Sequence, residues 1–141
     1  MLFRFGAVYT IAFDVSDLAG NIATTVSNTG VTYDVTTQAP TLATPANSST
    51  DNATLDIDFT LPEAASGGTV KMTFTRTGGT ADGNSPHVIT FTAAFETAAQ
   101  HVVTLVGGDL STSSNVASVS SDPSDALVDG AVYDEIGRAH V

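Results

Sequence analysis

The chain of 141 residues contains no cysteine and no tryptophan, and it has only 4 lysine and arginine residues against 15 aspartate and glutamate residues. Without cysteine, disulfides, thiolate metal sites and cysteine nucleophiles are excluded. The formal net charge of −11 argues against a nucleic-acid partner, because phosphate binding requires a basic surface. No stretch approaches the ~20 apolar residues that cross a membrane, so we expect no membrane insertion.

Catalytic motifs are missing as well. The sequence contains no G-x-S-x-G, no H-E-x-x-H and no evident Ser/His/Asp arrangement. His87 and His101 begin predicted strands and would act as ligands or bases only if they met in space, and His140 lies near the end of the sequence. We therefore predict that the protein is not an enzyme, and that it has no catalytic residue, no metal-binding residue and no resident cofactor.

What the sequence does have is a period-two alternation of apolar and polar residues. In TLDIDFTL the apolar face consists of Leu55, Ile57, Phe59 and Leu61. The same pattern occurs in AVYTIAFDV (Tyr9, Ile11, Phe13 and Val15), TVKMTFTRT, HVITFTAAF, HVVTLV and VASVS. Loops rich in Gly, Ser, Asp and Asn separate these segments, and AAFETAAQ and GDLSTSSN could each hold one helical turn. Strands with one apolar face pack as two sheets, which predicts an all-β, immunoglobulin-like or fibronectin-like antiparallel β-sandwich.

One short sequence occurs twice. The segment FGAVYTI, beginning at Phe5, recurs as DGAVYDEI, beginning at Asp129, and the spacing between Gly6 and Gly130 is 130 − 6 = 124 residues. Both copies open an alternating strand. Similarity at a fixed long spacing is typical of tandem repeats.

The segment YTIAFDVSDLAGNIATTVSNTGVTYDVTTQAPTL resembles the end of a bacterial immunoglobulin-like repeat and its junction to the next repeat. The turn D-x-A-G-N of such repeats is matched by Asp17, Ala19, Gly20 and Asn21. The linker is matched by Asp34, Thr36, Thr37, Ala39 and Pro40, with Val35 and Gln38 departing from the usual form. The resemblance implies a structural spacer or adhesion repeat of a large bacterial surface or secreted protein. Its location would be extracellular or at the cell surface, and its partners would be the neighbouring repeats of the same chain.

These observations predict three regions. Residues 1–38 would be the C-terminal hairpin of a preceding repeat, and residues 39–136 a sandwich repeat that lacks its last strands. The hexapeptide IGRAHV departs from the repeat pattern and can be encoded by a common sequencing-adapter sequence, so we expect residues 137–141 to be a non-native tail. A lone hairpin is marginally stable in water, so we expect residues 1–38 either to be mobile or to dock onto the edge left by the missing strands.

Three acidic or glycine-rich segments leave a calcium site open as an alternative to ordinary turns. Asp17 and Asn21, with Asp34, could provide oxygen ligands at the repeat junction, although a hairpin turn explains the same residues. The segment GGTADGN, residues 78–84, predicts a hairpin loop. The acidic loop residues are Asp122, Asp125 and Asp129.

A second function is also compatible with a sandwich. The chain could be a carbohydrate- or protein-ligand-binding module attached to a secreted enzyme. Sugar-binding modules usually expose aromatic rings, whereas this chain has no tryptophan and only 3 tyrosines.

Overall fold

The computed structural model describes residues 6–120 and 125–138, and the side chains within these ranges up to position 134. The chain divides into two compact units, Met1–Thr36 and Thr37–Val141, which we call the hairpin unit and the sandwich unit. Among the described residues, both units contain antiparallel β-strands, and the sandwich unit also contains two short 3₁₀ turns. The predicted all-β fold with an N-terminal hairpin is therefore confirmed.

The hairpin unit is built from two strands. Strand β1 (Val8–Phe13) pairs antiparallel with β2 (Val26–Thr32), and the register shifts between Tyr9 and Ile11. The extra residue lies in β2, between Asn28 and Val31, so the return strand contains a bulge. None of the residues described in this unit is buried, so its alternating apolar residues do not form a core of their own.

The sandwich unit contains two sheets. Its strands are β3 (Thr41–Thr44), β4 (Thr54–Thr60), β5 (Lys71–Gly79), β6 (His87–Phe91), β7 (Gln100–Val106), β8 (Val116–Val119) and β9 (Ala131–Arg138). One sheet has the order β3-β4-β7 and the other has the order β8-β6-β5-β9. The 3₁₀ turns, Ala93–Phe95 and Leu110–Thr112, lie in the two segments predicted to hold helical turns.

The core of the sandwich unit lies between the apolar faces of these sheets. From the three-stranded sheet, β4 and β7 contribute Leu55, Ile57, Phe59, Val103 and Leu105, and from the four-stranded sheet, β5 and β6 contribute Met72, Phe74, Ile89 and Phe91. Along β7, the buried residues alternate with exposed ones such as Val102, which is 65% exposed. The period of two seen in the sequence therefore follows the pleat of each strand.

Two features of the strands differ from the sequence-based expectation. Strand β3 directly follows the predicted linker, in a segment where the alternation predicted no strand, and it pairs with β4. The predicted apolar face of β1 remains largely open, since Phe13 is 71% exposed and Ile11 is 52% exposed. Strand β9 pairs with β5 as far as Arg138; whether residues 137–141 are native stays a prediction, and residues 139–141 lie outside the described part of the chain.

Candidate functional site

The most elaborate polar arrangement in the sandwich unit joins the loop between β5 and β6 to strand β9. Asp82 in the loop, His87 at the start of β6 and Tyr133 in β9 form this polar cluster. The Asp82 Oδ2 atom lies 2.7 Å from His87 Nε2 and accepts a hydrogen bond from the Tyr133 hydroxyl, also at 2.7 Å. The Asp82 Oδ1 atom accepts a hydrogen bond from the backbone N–H of Asn84 at 2.9 Å.

The chain folds locally so that these groups meet. The glycine-rich segment after β5 turns back, and His87 begins β6 with its side chain on the buried face of the sheet. Strand β9 then runs antiparallel beside β5 and places Tyr133 opposite Arg76. The Tyr133 hydroxyl also accepts a hydrogen bond from the backbone N–H of Val128 at 2.9 Å, and its ring meets the His87 ring edge-on with centroids 6.2 Å apart.

Electrostatics favour an ionised Asp82 in this cluster. Burial by itself raises the pKa of the Asp82 carboxyl, but the hydrogen bonds from His87, Tyr133 and the Asn84 amide outweigh it and lower the pKa to about 2. Burial raises the pKa of Tyr133, and the neighbouring Asp82 raises it further. The phenol therefore stays protonated and acts as a donor to a fixed carboxylate.

The arrangement is sealed from solvent. The side chains of His87 and Asp82 are 0% and 1% exposed. The contacts of Asp82 with His87 and Tyr133 hold the β5–β6 loop against the beginning of β9.

Asp17 and Asn21 form a turn in the hairpin unit. Asp17 Oδ1 accepts hydrogen bonds from the backbone N–H groups of Ala19 (2.9 Å) and Asn21 (2.8 Å), and Oδ2 accepts one from the Asn21 side-chain amide at 2.8 Å. The side-chain bond from Asn21, followed by its backbone bond, lowers the pKa of Asp17. The amide nitrogen of Asn21, not its oxygen, faces the carboxylate, so these two side chains satisfy each other as a turn.

The other candidate residues have separate partners. Asp34 accepts a hydrogen bond from the backbone N–H of Thr36 at 3.2 Å. The backbone carbonyl of Asp125 accepts one from Leu110 N–H at 3.2 Å, Asp129 is exposed, and Asp122 lies outside the described residues. Between positions 6–120 and 125–138, no group of three or more His, Asp or Glu side chains is placed to hold a metal ion.

Two of the 3 histidines, His87 and His101, each lie in a strand of the sandwich unit. His101 of β7 is 8% exposed, its Nε2 lies 2.9 Å from the Thr97 carbonyl oxygen, and its ring packs against Phe59 and Phe95 at centroid distances of 5.2 and 5.3 Å. His87 is bound in the polar cluster.

Within the described ranges, no helix is long and apolar enough to span a membrane.

The sequence alone did not predict the polar cluster. Asp82 and His87 are five residues apart, but Tyr133 is 51 residues beyond Asp82, and no local pattern links them. The available signal was indirect: Tyr133 belongs to the repeated GAVY segment, and Asp82 belongs to a glycine-rich loop of the adjoining hairpin.

Comparisons with known proteins give no further guidance: no family model matches the chain, and no curated protein and no solved structure matches it significantly. The resemblance to bacterial immunoglobulin-like repeats therefore stays a prediction.

Proposed function

We propose that the chain is a non-catalytic structural repeat of a large bacterial cell-surface or secreted protein, acting as a spacer or adhesion module. The observation that carries the proposal is the paired occurrence of the GAVY segment. In both units this segment leads from a glycine into an antiparallel strand, β1 in one and β9 in the other. One unit thus repeats the strand start of the other, which is how a tandem array is built.

The chemistry of the surface and core supports a mechanical role. The buried side chains of Asp82 and His87 lie in the sandwich unit and, with Tyr133, join the β5–β6 loop to β9. Its core is continuous across two sheets, and such sandwiches resist deformation when they are joined in series. The acidic surface, with a net charge of −11, keeps neighbouring modules soluble.

The decisive experiment is recovery of the surrounding reading frame by long-read sequencing of the source DNA. We expect further copies of the GAVY-containing module at a spacing close to 130 − 6 = 124 residues, together with a secretion signal. A reading frame with a single sandwich and no secretion signal would refute the proposal.

A second candidate is a ligand-binding module attached to a secreted enzyme. The observation in its favour is the exposure of two aromatic rings in the hairpin unit, Phe13 at 71% and Tyr33 at 41%, because sugar-binding surfaces often use such rings. A glycan array tests it directly: selective binding that is lost in Tyr33→Ala supports the module, and the absence of binding to any glycan excludes the sugar-binding form.

A further inference from the structure

The strands β1 and β9 begin in the same way. Each follows a glycine in a left-handed backbone conformation, with φ of 69° at Gly6 and 72° at Gly130, and each continues with Ala-Val-Tyr. The structure therefore contains two strands with the same sequence start, each preceded by a glycine with nearly the same φ angle. One of them, β9, shows what such a strand pairs with.

Strand β9 lies at the edge of its sheet, beside β5. At its start the carbonyl oxygen of Gly130 accepts a hydrogen bond from Thr80 N–H at 2.9 Å. Gly79 approaches so closely that a Cβ atom there would lie 2.1 Å from the Gly130 carbonyl oxygen. Tyr133 then reaches the carboxylate of Asp82. The edge of β5 and its following loop thus form a receptor for a strand that starts Gly-Ala-Val-Tyr.

The remainder of β1 suits this edge better than the remainder of β9. Opposite the buried residues of β5, the register places polar or small residues of β9, and the same register would place large apolar residues of β1. The pairs are Glu135 or Ile11 opposite Phe74, and Gly137 or Phe13 opposite Met72. Cross-strand neighbours on a buried face stabilise a sheet most when both are apolar, so β1 gains at two positions.

Charge complementarity points the same way. The register places Lys71 of β5 opposite position 138 of β9, and opposite charges directly opposite each other stabilise a strand pair. The residue at the equivalent position, 138 − 124 = 14, is Asp14, which directly follows the end of β1. The same register would therefore bring a carboxylate opposite Lys71.

We propose that β1 of one copy of this chain pairs with β5 of a second copy, in the place that β9 occupies in the isolated sandwich unit. Reciprocal pairing gives a closed strand-exchanged dimer. It covers the exposed side chains of Ile11 and Phe13, and it releases β9. Because association has an entropic cost, the dimer forms increasingly as the concentration rises. The inference rests on the repeat relation that also supports the proposed function.

Sedimentation velocity of the full chain over a concentration series tests the proposal. We expect a dimer whose fraction grows with concentration, and a monomer for the double variant I11D/F13D. The matched control is Val8→Asp. Val8 is apolar and 67% exposed, and its equivalent in β9, Val132, stays 55% exposed beside β5, so V8D should dimerise like the parent chain.

Cross-linking locates the contact and does not depend on the folding of I11D/F13D. The chain has no cysteine, so single-cysteine variants report one defined pair. By the β5–β9 register, Asp134 lies opposite Thr75, and its equivalent in β1 is position 134 − 124 = 10. A mixture of T10C and T75C chains treated with a short thiol cross-linker should give a mixed dimer, whereas T10C with T104C, exposed on β7, should not.

A chain that stays monomeric at every concentration overturns the proposal. So does a dimer that persists in I11D/F13D, or one that cross-links T10C no better to T75C than to T104C. These failures leave the sequencing test of the proposed function unaffected. Conversely, a reading frame without further repeats would refute the spacer function. The dimer would still be tested on the chain itself.

Discussion

Asp82 carries its charge in a place where water does not reach it. A buried carboxylate is costly unless hydrogen bonds replace its hydration, and here one imidazole, one phenol and one backbone amide do so. At the scale of single residues, the stability of the sandwich unit therefore depends on side chains whose partners lie in other elements.

Tyr133→Phe removes the hydroxyl and nothing else. We expect the free energy of unfolding to fall by about 1–3 kcal/mol, the usual cost of leaving a buried charged hydrogen bond unmade, measured by urea denaturation. The control is Thr104→Val, which removes an exposed hydroxyl bonded to Asp56 and should change stability by less than about 0.5 kcal/mol. Equal losses in the two variants would contradict a special role for Tyr133.

The pH dependence of stability follows from Asp82. Its pKa in the folded chain is about 2, below the ordinary value of 3.8, so the unfolded chain binds the proton first. The contribution of Asp82 to the stability of the folded chain is present above pH 3.8, and it is lost as the pH falls from 3.8 toward 2. We expect urea denaturation to show a decline in this window that is shallower in Asp82→Asn. An unchanged slope in D82N would contradict the assignment.

At the scale of elements, two connections carry special geometry: the turn between β1 and β2, and the contact between the ends of β5 and β9. In each, a few polar or glycine residues allow the chain to reverse or two strands to approach. Substitutions there should change an element without altering the apolar core.

Asp17→Ala tests the turn. The variant loses the acceptor for Ala19 N–H, for Asn21 N–H and for the Asn21 side chain. We expect the exchange of the two backbone amides, followed by NMR, to become about tenfold faster, with and without added calcium. Asp34→Ala, which loses only the contact with Thr36, should leave these amides unchanged. Calcium-dependent protection of the parent turn would instead support a metal site.

Gly79→Ala tests the approach of β5 to β9. Gly79 has φ of 66°, and an added Cβ would meet the backbone of Gly130. Both effects oppose a side chain at this position. We therefore expect the free energy of unfolding, measured by thermal or urea denaturation, to fall by about 2 kcal/mol or more. Gly83→Ala is the control, because a Cβ there meets nothing within 4 Å. If G83A were as harmful as G79A, the close approach would not be the cause.

Elements were predictable from the sequence where a local pattern specifies them. The alternation in TLDIDFTL gave the buried face of β4, since the pleat has the same period. Strand β3 was not predicted because its 4 residues, Thr41–Thr44, lie between two prolines and are too few to show an alternation. Tyr133 and Asp82 were not linked, because their contact depends on which strand lies beside β5. That neighbour is set by tertiary packing rather than by any short sequence.

For the molecule as a whole, charge is the dominant property. With 15 acidic and 4 basic residues, folding brings like charges together, and salt screens their repulsion. We expect the midpoint of thermal unfolding to rise when sodium chloride is increased from a few millimolar to ~0.5 M, a range over which the screening length falls severalfold. A midpoint that falls with added salt would show that attractive ion pairs outweigh the repulsion.

The long separation between Asp82 and Tyr133 has a consequence for the order of folding during synthesis. The ribosome makes the carboxylate 51 residues before the hydroxyl that binds it, and β9 is the last strand of its sheet in chain order. Until that strand emerges, β5 is the edge strand of its sheet and has only β6 as a neighbour. A nascent chain arrested before residue 130 should therefore hold a loosely closed β5–β6 loop. The loop should close tightly only when the end of this segment has been translated.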